Sequence, residues 1–139
     1  MNQAYTGRAE YWSNGVEPAG ELLVAVLCRV GARAEKDFAL LDTASPWCVL
    51  PPSLALDLGY APDPEGDTRL HTRFGLLSGE LVRLPIVFPA DEGEPAQVEA
   101  TWFLSSDWPG PIVIGWTGCL ERMKFAFDPR ENDYYFAEY

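Results

Sequence analysis

Turn signals recur about every 8–12 residues along most of this chain, and the stretches between them carry β patterning. Twelve glycines and twelve prolines supply much of the punctuation, so the intervals suit strands of a few residues rather than long helices. Leu22 to Val30 is the first expected strand. Val24, Val26 and Cys28 share one face and Leu23, Ala25 and Leu27 the other, so both faces are at least partly covered. Gly31 turns the chain into a second strand, Asp37 to Asp42, paired with the first as a hairpin. Trp47 to Leu50 is a third, stopped by Pro51 and Pro52. Ser53 to Gly59 is a short helix, with Ser53 as its cap, Gly59 as its end, and Leu54 and Leu58 on one side.

The second half repeats the pattern. Residues 61–67 form a loop of Pro, Asp and Gly. Thr68 to Leu76 and Glu80 to Phe88 read as a strand pair, with Leu77, Ser78 and Gly79 at its tip. Pro85 demotes part of the second of these to an edge or bulge position. Gln97 to Leu104 alternates, placing Val98, Ala100, Trp102 and Leu104 on one side. Pro111 to Gly115 is a short apolar strand, and Cys119 to Met123 one helical turn. Lys124 to Asp128 and Asp133 to Tyr139 are aromatic-rich strands around a turn at Pro129 to Asn132. Eight or nine such strands with one or two short helices make an all-β domain, a barrel or a sandwich.

The 139 residues suffice for one domain. Residues 1–20 are polar, with Tyr5, Tyr11 and Trp12 scattered among them. They read as an arm that is loosely held, packs on the domain, or packs on a second subunit. Residues 21–139 are the domain proper. Met1 to Gly20 has no apolar run of the signal-peptide kind. The apolar runs fall far short of the roughly 20 residues that span a bilayer.

Ten Lys and Arg face twenty-one Asp and Glu, giving a formal charge of −11. Phosphate backbones and anionic membrane surfaces repel such a chain, so neither nucleic acid nor membrane is the expected partner. The three cysteines, Cys28, Cys48 and Cys119, form no CxxC and sit beside a single histidine count, His71. That inventory disfavours structural zinc and a disulfide framework, and points to a reducing, cytoplasmic setting. The cysteines read as core or interface residues, and His71 as a strand histidine on the surface.

One segment carries chemistry. Leu40-Leu-Asp-Thr-Ala-Ser45 puts an acid straight after an apolar strand, followed by small hydroxyl residues. A carboxylate there can be held at the floor of a cleft by neighbouring hydroxyls and N–H groups. It can equally end a strand by bonding its own turn.

The chain resembles the retropepsin-like aspartic proteases in three segments. Ala39-Leu-Leu-Asp-Thr-Ala-Ser45 is similar to the family's apolar-apolar-Asp-Thr/Ser-Gly-Ala/Ser loop. Thr72 to Phe88 occupies the region of the flap hairpin. Ile112-Val-Ile-Gly115 is similar to the apolar-apolar-Gly segment that passes behind the catalytic loop.

The resemblance implies a closed or partly open β-barrel acting as a homodimer on a peptide or protein substrate, with no cofactor and no metal. It makes Asp42 the catalytic residue, one from each subunit. Two carboxylates brought that close cannot both ionise cheaply and share one proton. One then acts as base toward a water while the other donates to the scissile carbonyl. Thr43 would bond across the dimer and Ser45 would support the carboxylate. Gly75, Leu76, Leu77, Ser78, Gly79 and Glu80 would form the flap, bending at its two glycines. Ile112, Val113, Ile114 and Gly115 would be the core behind the loop. Ala44 departs from the family's glycine; its methyl would narrow the cleft or shift the loop, or be harmless where its backbone angles are unstrained. A catalytically inactive relative used for dimerisation or peptide binding is the alternative, and an unrelated β domain the third.

Overall fold

A computed structural model describes residues 4–15 and 22–139. In chain order its elements are β1 (Gly7–Glu10), β2 (Trp12–Ser13), β3 (Val24–Val30), β4 (Asp37–Leu41), β5 (Cys48–Leu50) and α1 (Pro52–Asp57). Then come β6 (Thr68–Thr72), β7 (Gly75–Phe88), β8 (Glu92–Gly93), β9 (Ala96–Leu104) and β10 (Ile112–Ile114). A 3-10 turn (Leu120–Arg122) leads into β11 (Met123–Asp128) and β12 (Asp133–Glu138). The domain is mostly β-strand with one short α-helix, as the turn spacing implies.

Eight strands form one sheet in the order β2-β3-β4-β10-β5-β9-β7-β6. β3 also pairs with β7, through Arg29 opposite Val87 and Val30 opposite Ile86, so six of the strands follow one another in a ring. Pro85 lies opposite Glu99 in the β7–β9 ladder, one residue outside the β3 pairing. Its carbonyl accepts the Gly31 N–H at 2.8 Å, and its missing N–H costs β3 nothing.

Val26, Cys28, Val30, Ala39, Leu50, Ile86, Trp102, Leu104 and Ile114 fill the main core. Trp102 is fully buried, and its indole N–H donates to the Leu84 carbonyl at 3.1 Å. Burial without that partner would cost a few kcal/mol. A second, smaller cluster gathers Val49, Leu70, Leu77, Phe103, Trp108 and Val113, with Trp47 against it.

The remaining strands form a four-stranded sheet, β11-β12-β1-β8. β12 is paired on one side with β11 and on the other with β1. Arg8 ties this sheet together, reaching Glu92 at 3.2 Å and Asp133 at 2.8 Å. The described part of residues 1–20 therefore packs on the domain, through β1 here and through β2 beside β3. The boundary expected at residues 20 and 21 lies outside the described residues.

Two local expectations differ from what folds. The helix starts one residue earlier than Ser53 suggests, with Pro51 at its N-cap, Pro52 in its first turn and no side-chain cap. Proline's preset φ suits that first turn, where its missing N–H is not needed. Gly59 follows the helix at φ +89. The second difference is the hairpin. Its tip is not Leu77 to Gly79 but Arg73 and Phe74, because β7 runs unbroken from Gly75 and Leu77 pairs with Leu70. Arg73 and Phe74 keep negative φ, and Gly75, at φ +104, returns the chain to the strand after them.

Candidate functional site

β4 and β5 lie on either side of β10, β4 parallel to it and β5 antiparallel. The chain between them, Asp42 to Trp47, must therefore cross the end of β10. Gly115 occupies the crossing. A Cβ there would overlap the carbonyl oxygen of Trp47 and stand 2.9 Å from that of Ser45. The loop is then pinned by main-chain bonds. Asp42 N–H donates to the Ile114 carbonyl at 3.0 Å, Trp116 N–H to Ser45 at 2.9 Å and Thr117 N–H to Pro46 at 2.8 Å.

On this loop Asp42, Thr43 and Ala44 are exposed and Ser45 is half-buried. The Asp42 Oδ1 accepts the Ala44 N–H at 3.0 Å, and the Asp42 carbonyl accepts the Ser45 N–H at 3.0 Å. That is an Asx-turn closed inside a β-turn. The bland local arrangement is thus present, and it also holds the carboxylate at a fixed, solvent-facing position. The Ser45 hydroxyl donates to the Trp47 carbonyl at 2.7 Å, so it fastens the loop rather than the carboxylate. Among the described residues only Asn132 combines a side chain with positive φ, so Ala44 sits in ordinary backbone.

Behind the loop, Ile112 and Ile114 face the main core and Val113 the smaller cluster. Gly115 N–H points to Cys48 Sγ at 3.5 Å. The three cysteines are free and buried. Burial, with Asp37 and Cys48 nearby, pushes the Cys28 thiol up to about 12. The Cys119 thiol is pushed up by its hydrogen bond to Cys48 and by burial. Neither is a ready thiolate at neutral pH.

One cavity borders Asp42 and a second lies against β4. The first, of about 530 Å³, is bordered by Asp42 and Thr43 together with Leu41, Tyr11, Phe125 and Phe127. The other, of about 300 Å³, is lined by Trp12, Ala25, Phe38, Ala39, Leu40 and Pro111. Ala39 and Leu40 belong to the motif around Asp42, whereas Trp12 and Phe38 lie outside it; strand alternation puts Phe38, Leu40 and Asp42 on one side of β4 and its end. Among the described residues no group of three or more His, Cys, Asp or Glu is placed to hold a metal ion. His71 lies exposed on β6, opposite Leu76.

The expected flap residues are in β7, not brought to Asp42 by any contact described. Leu76 is exposed, Leu77 packs in the smaller cluster, and Ser78 and Glu80 are half-buried. Gly79 is a packing glycine, not a bend: a Cβ there would overlap the Leu104 carbonyl and press on the Phe103 ring. Trp47 is half-buried and stacks on Phe103 with centroids 6.1 Å apart.

Among solved structures, the crystal structure of a retropepsin-like aspartic protease from Rickettsia conorii is similar to this chain, with a TM-score of 0.53. The match covers 98% of this chain and 96% of that one at 17% sequence identity, a likeness of fold. No protein-family model and no curated protein matches the chain. No helix among the described residues is long and apolar enough to cross a membrane.

Proposed function

We propose, from the premise of a retropepsin-like fold, that this chain is an aspartic endopeptidase acting as a homodimer. The observation that carries the reading is Asp42: exposed, directly after β4, on a loop pinned across Gly115. Two such loops facing each other bring two carboxylates to one water. One carboxylate takes a proton from the water as it attacks the peptide carbonyl, and the other gives its proton to that carbonyl. We read the ring of strands as the family's partly open barrel, and Thr43 as the residue that bonds across the two-fold axis. The β6–β7 hairpin is the flap, with Arg73 and Phe74 rather than Leu77 to Gly79 at its end.

The sheets bear on one mode of association. β12 has both edges filled by its own chain, so a second copy cannot join there by strand pairing.

A second reading has one observation in its favour. Ala44 stands where the family has glycine, and its amide already engages the Asp42 carboxylate. An inactive relative that binds peptides or dimerises would tolerate both. Cleavage of an unfolded protein substrate at acidic to neutral pH, by the wild-type chain and by Asp42→Asn, separates the two. Loss of about 10²–10⁴-fold in rate is expected. Equal residual cleavage in both proteins would remove Asp42 from the chemistry, and sedimentation of a monomer alone would remove the shared pair.

A further inference from the structure

The hairpin tip is fastened to another part of the chain. The Phe74 ring meets the Trp108 ring edge to face, with centroids 5.4 Å apart and planes at 75°. Phe74 is 52% exposed, and the Arg73 guanidinium also lies over its ring, 6.0 Å from the centroid. The turn itself is built to present that ring. Thr72 Oγ1 accepts the Phe74 N–H at 3.0 Å and donates to the Gly75 carbonyl at 2.9 Å.

Trp108 is the fixed partner. It is 8% exposed and packs with Leu70, Leu77 and Val113. Its indole N–H donates to the Pro111 carbonyl at 2.8 Å. Gly110 lies so close under the ring that a Cβ there would come within 2.5 Å of it. Pro111 in turn lines the apolar cavity that contains Leu40, two residues before Asp42. A continuous set of contacts thus runs from the tip of the hairpin to the wall of that cavity.

We infer that Phe74 and Trp108 form a latch that holds the β6–β7 hairpin on the loop before β10 and couples its release to the wall of the cavity beside Leu40. The hairpin is closed by its own chain, without any ligand. It opens when Phe74 leaves Trp108, and the indole passes the change to Pro111 through its hydrogen bond. The latch rests on contacts within one chain; only its use as a lid over Asp42 rests on the proposed function.

Hydrogen exchange and NMR of the full chain test it. An edge-to-face pair contributes enough that its loss should raise local opening about 2–10-fold. In Phe74→Ala, the amides of the β6–β7 pairing should exchange faster by that factor, while those of β12 keep their rates. The Trp108 indole N–H resonance and the Leu40 methyl resonances should both move. In a Trp108→Leu background, Phe74→Ala should add nothing further. Unchanged hairpin exchange, equal acceleration in β12, or an unmoved Trp108 resonance in Phe74→Ala would each overturn the latch, and an unmoved Leu40 would overturn the coupling. Phe74→Ala alone decides the matter should Trp108→Leu fail to fold. Exchange is read without any cleavage, so loss of the latch and loss of the protease reading are separate results.

Discussion

Gly115 and Trp47 touch through backbone alone: where Gly115 passes under the loop, there is no room for a single methyl before the Trp47 carbonyl. The loop bearing Asp42 is positioned by that contact and by the amides on either side of it. Gly115→Ala should therefore force the loop and β10 apart. The expected cost is about 1–3 kcal/mol or more, seen as a lower urea midpoint. Any cleavage activity should fall further than stability does, since the loop is displaced even in folded molecules.

Ala44→Gly should move stability and activity in opposite directions. Ala44 occupies ordinary backbone, so glycine there gains nothing in the fold and loosens the unfolded chain, costing about 0.4–1 kcal/mol. Removing the methyl from the exposed loop should raise kcat/KM for peptides. A thermal melt and a steady-state assay on the same preparation check both signs.

Arg33 draws three carboxylates to itself: Asp57 at 2.8 Å, Asp37 at 3.4 Å and Glu35 at 3.9 Å. Its side chain is 13% exposed while that of Asp57 is 62% exposed. Arg33→Ala leaves Asp37 partly buried without its cation, and should cost about 1–3 kcal/mol. Asp57→Ala loses only a wet contact, about 0.2–1 kcal/mol. Denaturant midpoints for the two variants should differ in that order.

The fold should weaken on the alkaline side. Cys28 ionises near 9 when unfolded and near 12 in the folded chain, mainly because of burial. Its contribution is fully present below pH 9 and is lost as pH rises from there toward 12, because only the unfolded chain then gains the thiolate's stability. The loss at full extent is on the order of 4 kcal/mol. Tyr134, also pushed up chiefly by burial, acts in the same direction. Urea midpoints from pH 7 to 11 should fall above 9, and less steeply in Cys28→Ala.

The strands were legible because their punctuation is local. Gly31, Pro51 and Gly59 each stand just past an element end, and Pro52 opens the helix. The helix start was misread because Ser53 looks like a cap, while Pro52 had already set the first turn. The hairpin tip was misread for a similar reason. Leu77-Ser-Gly79 has turn composition, yet Gly79 is required for contact with Leu104 and Phe103, which lie far along the sequence. The place of Asp42 at a strand end was readable from Leu40 and Leu41. The hydroxyl of Ser45 bonding Trp47, and the cavities walled by Tyr11, Trp12 and Phe127, depend on which strands become neighbours. No local signal encodes that.

The enclosure of β12 between β1 and β11 has a consequence for the proposed pairing of two chains. A fold completed by its own strands does not need a second copy to stay folded, so dilution should silence a two-chain site while leaving the melting temperature where it was. Folding and pairing become separate traits, open to separate adjustment, and an inactive variant of this chain would still be a well-made molecule.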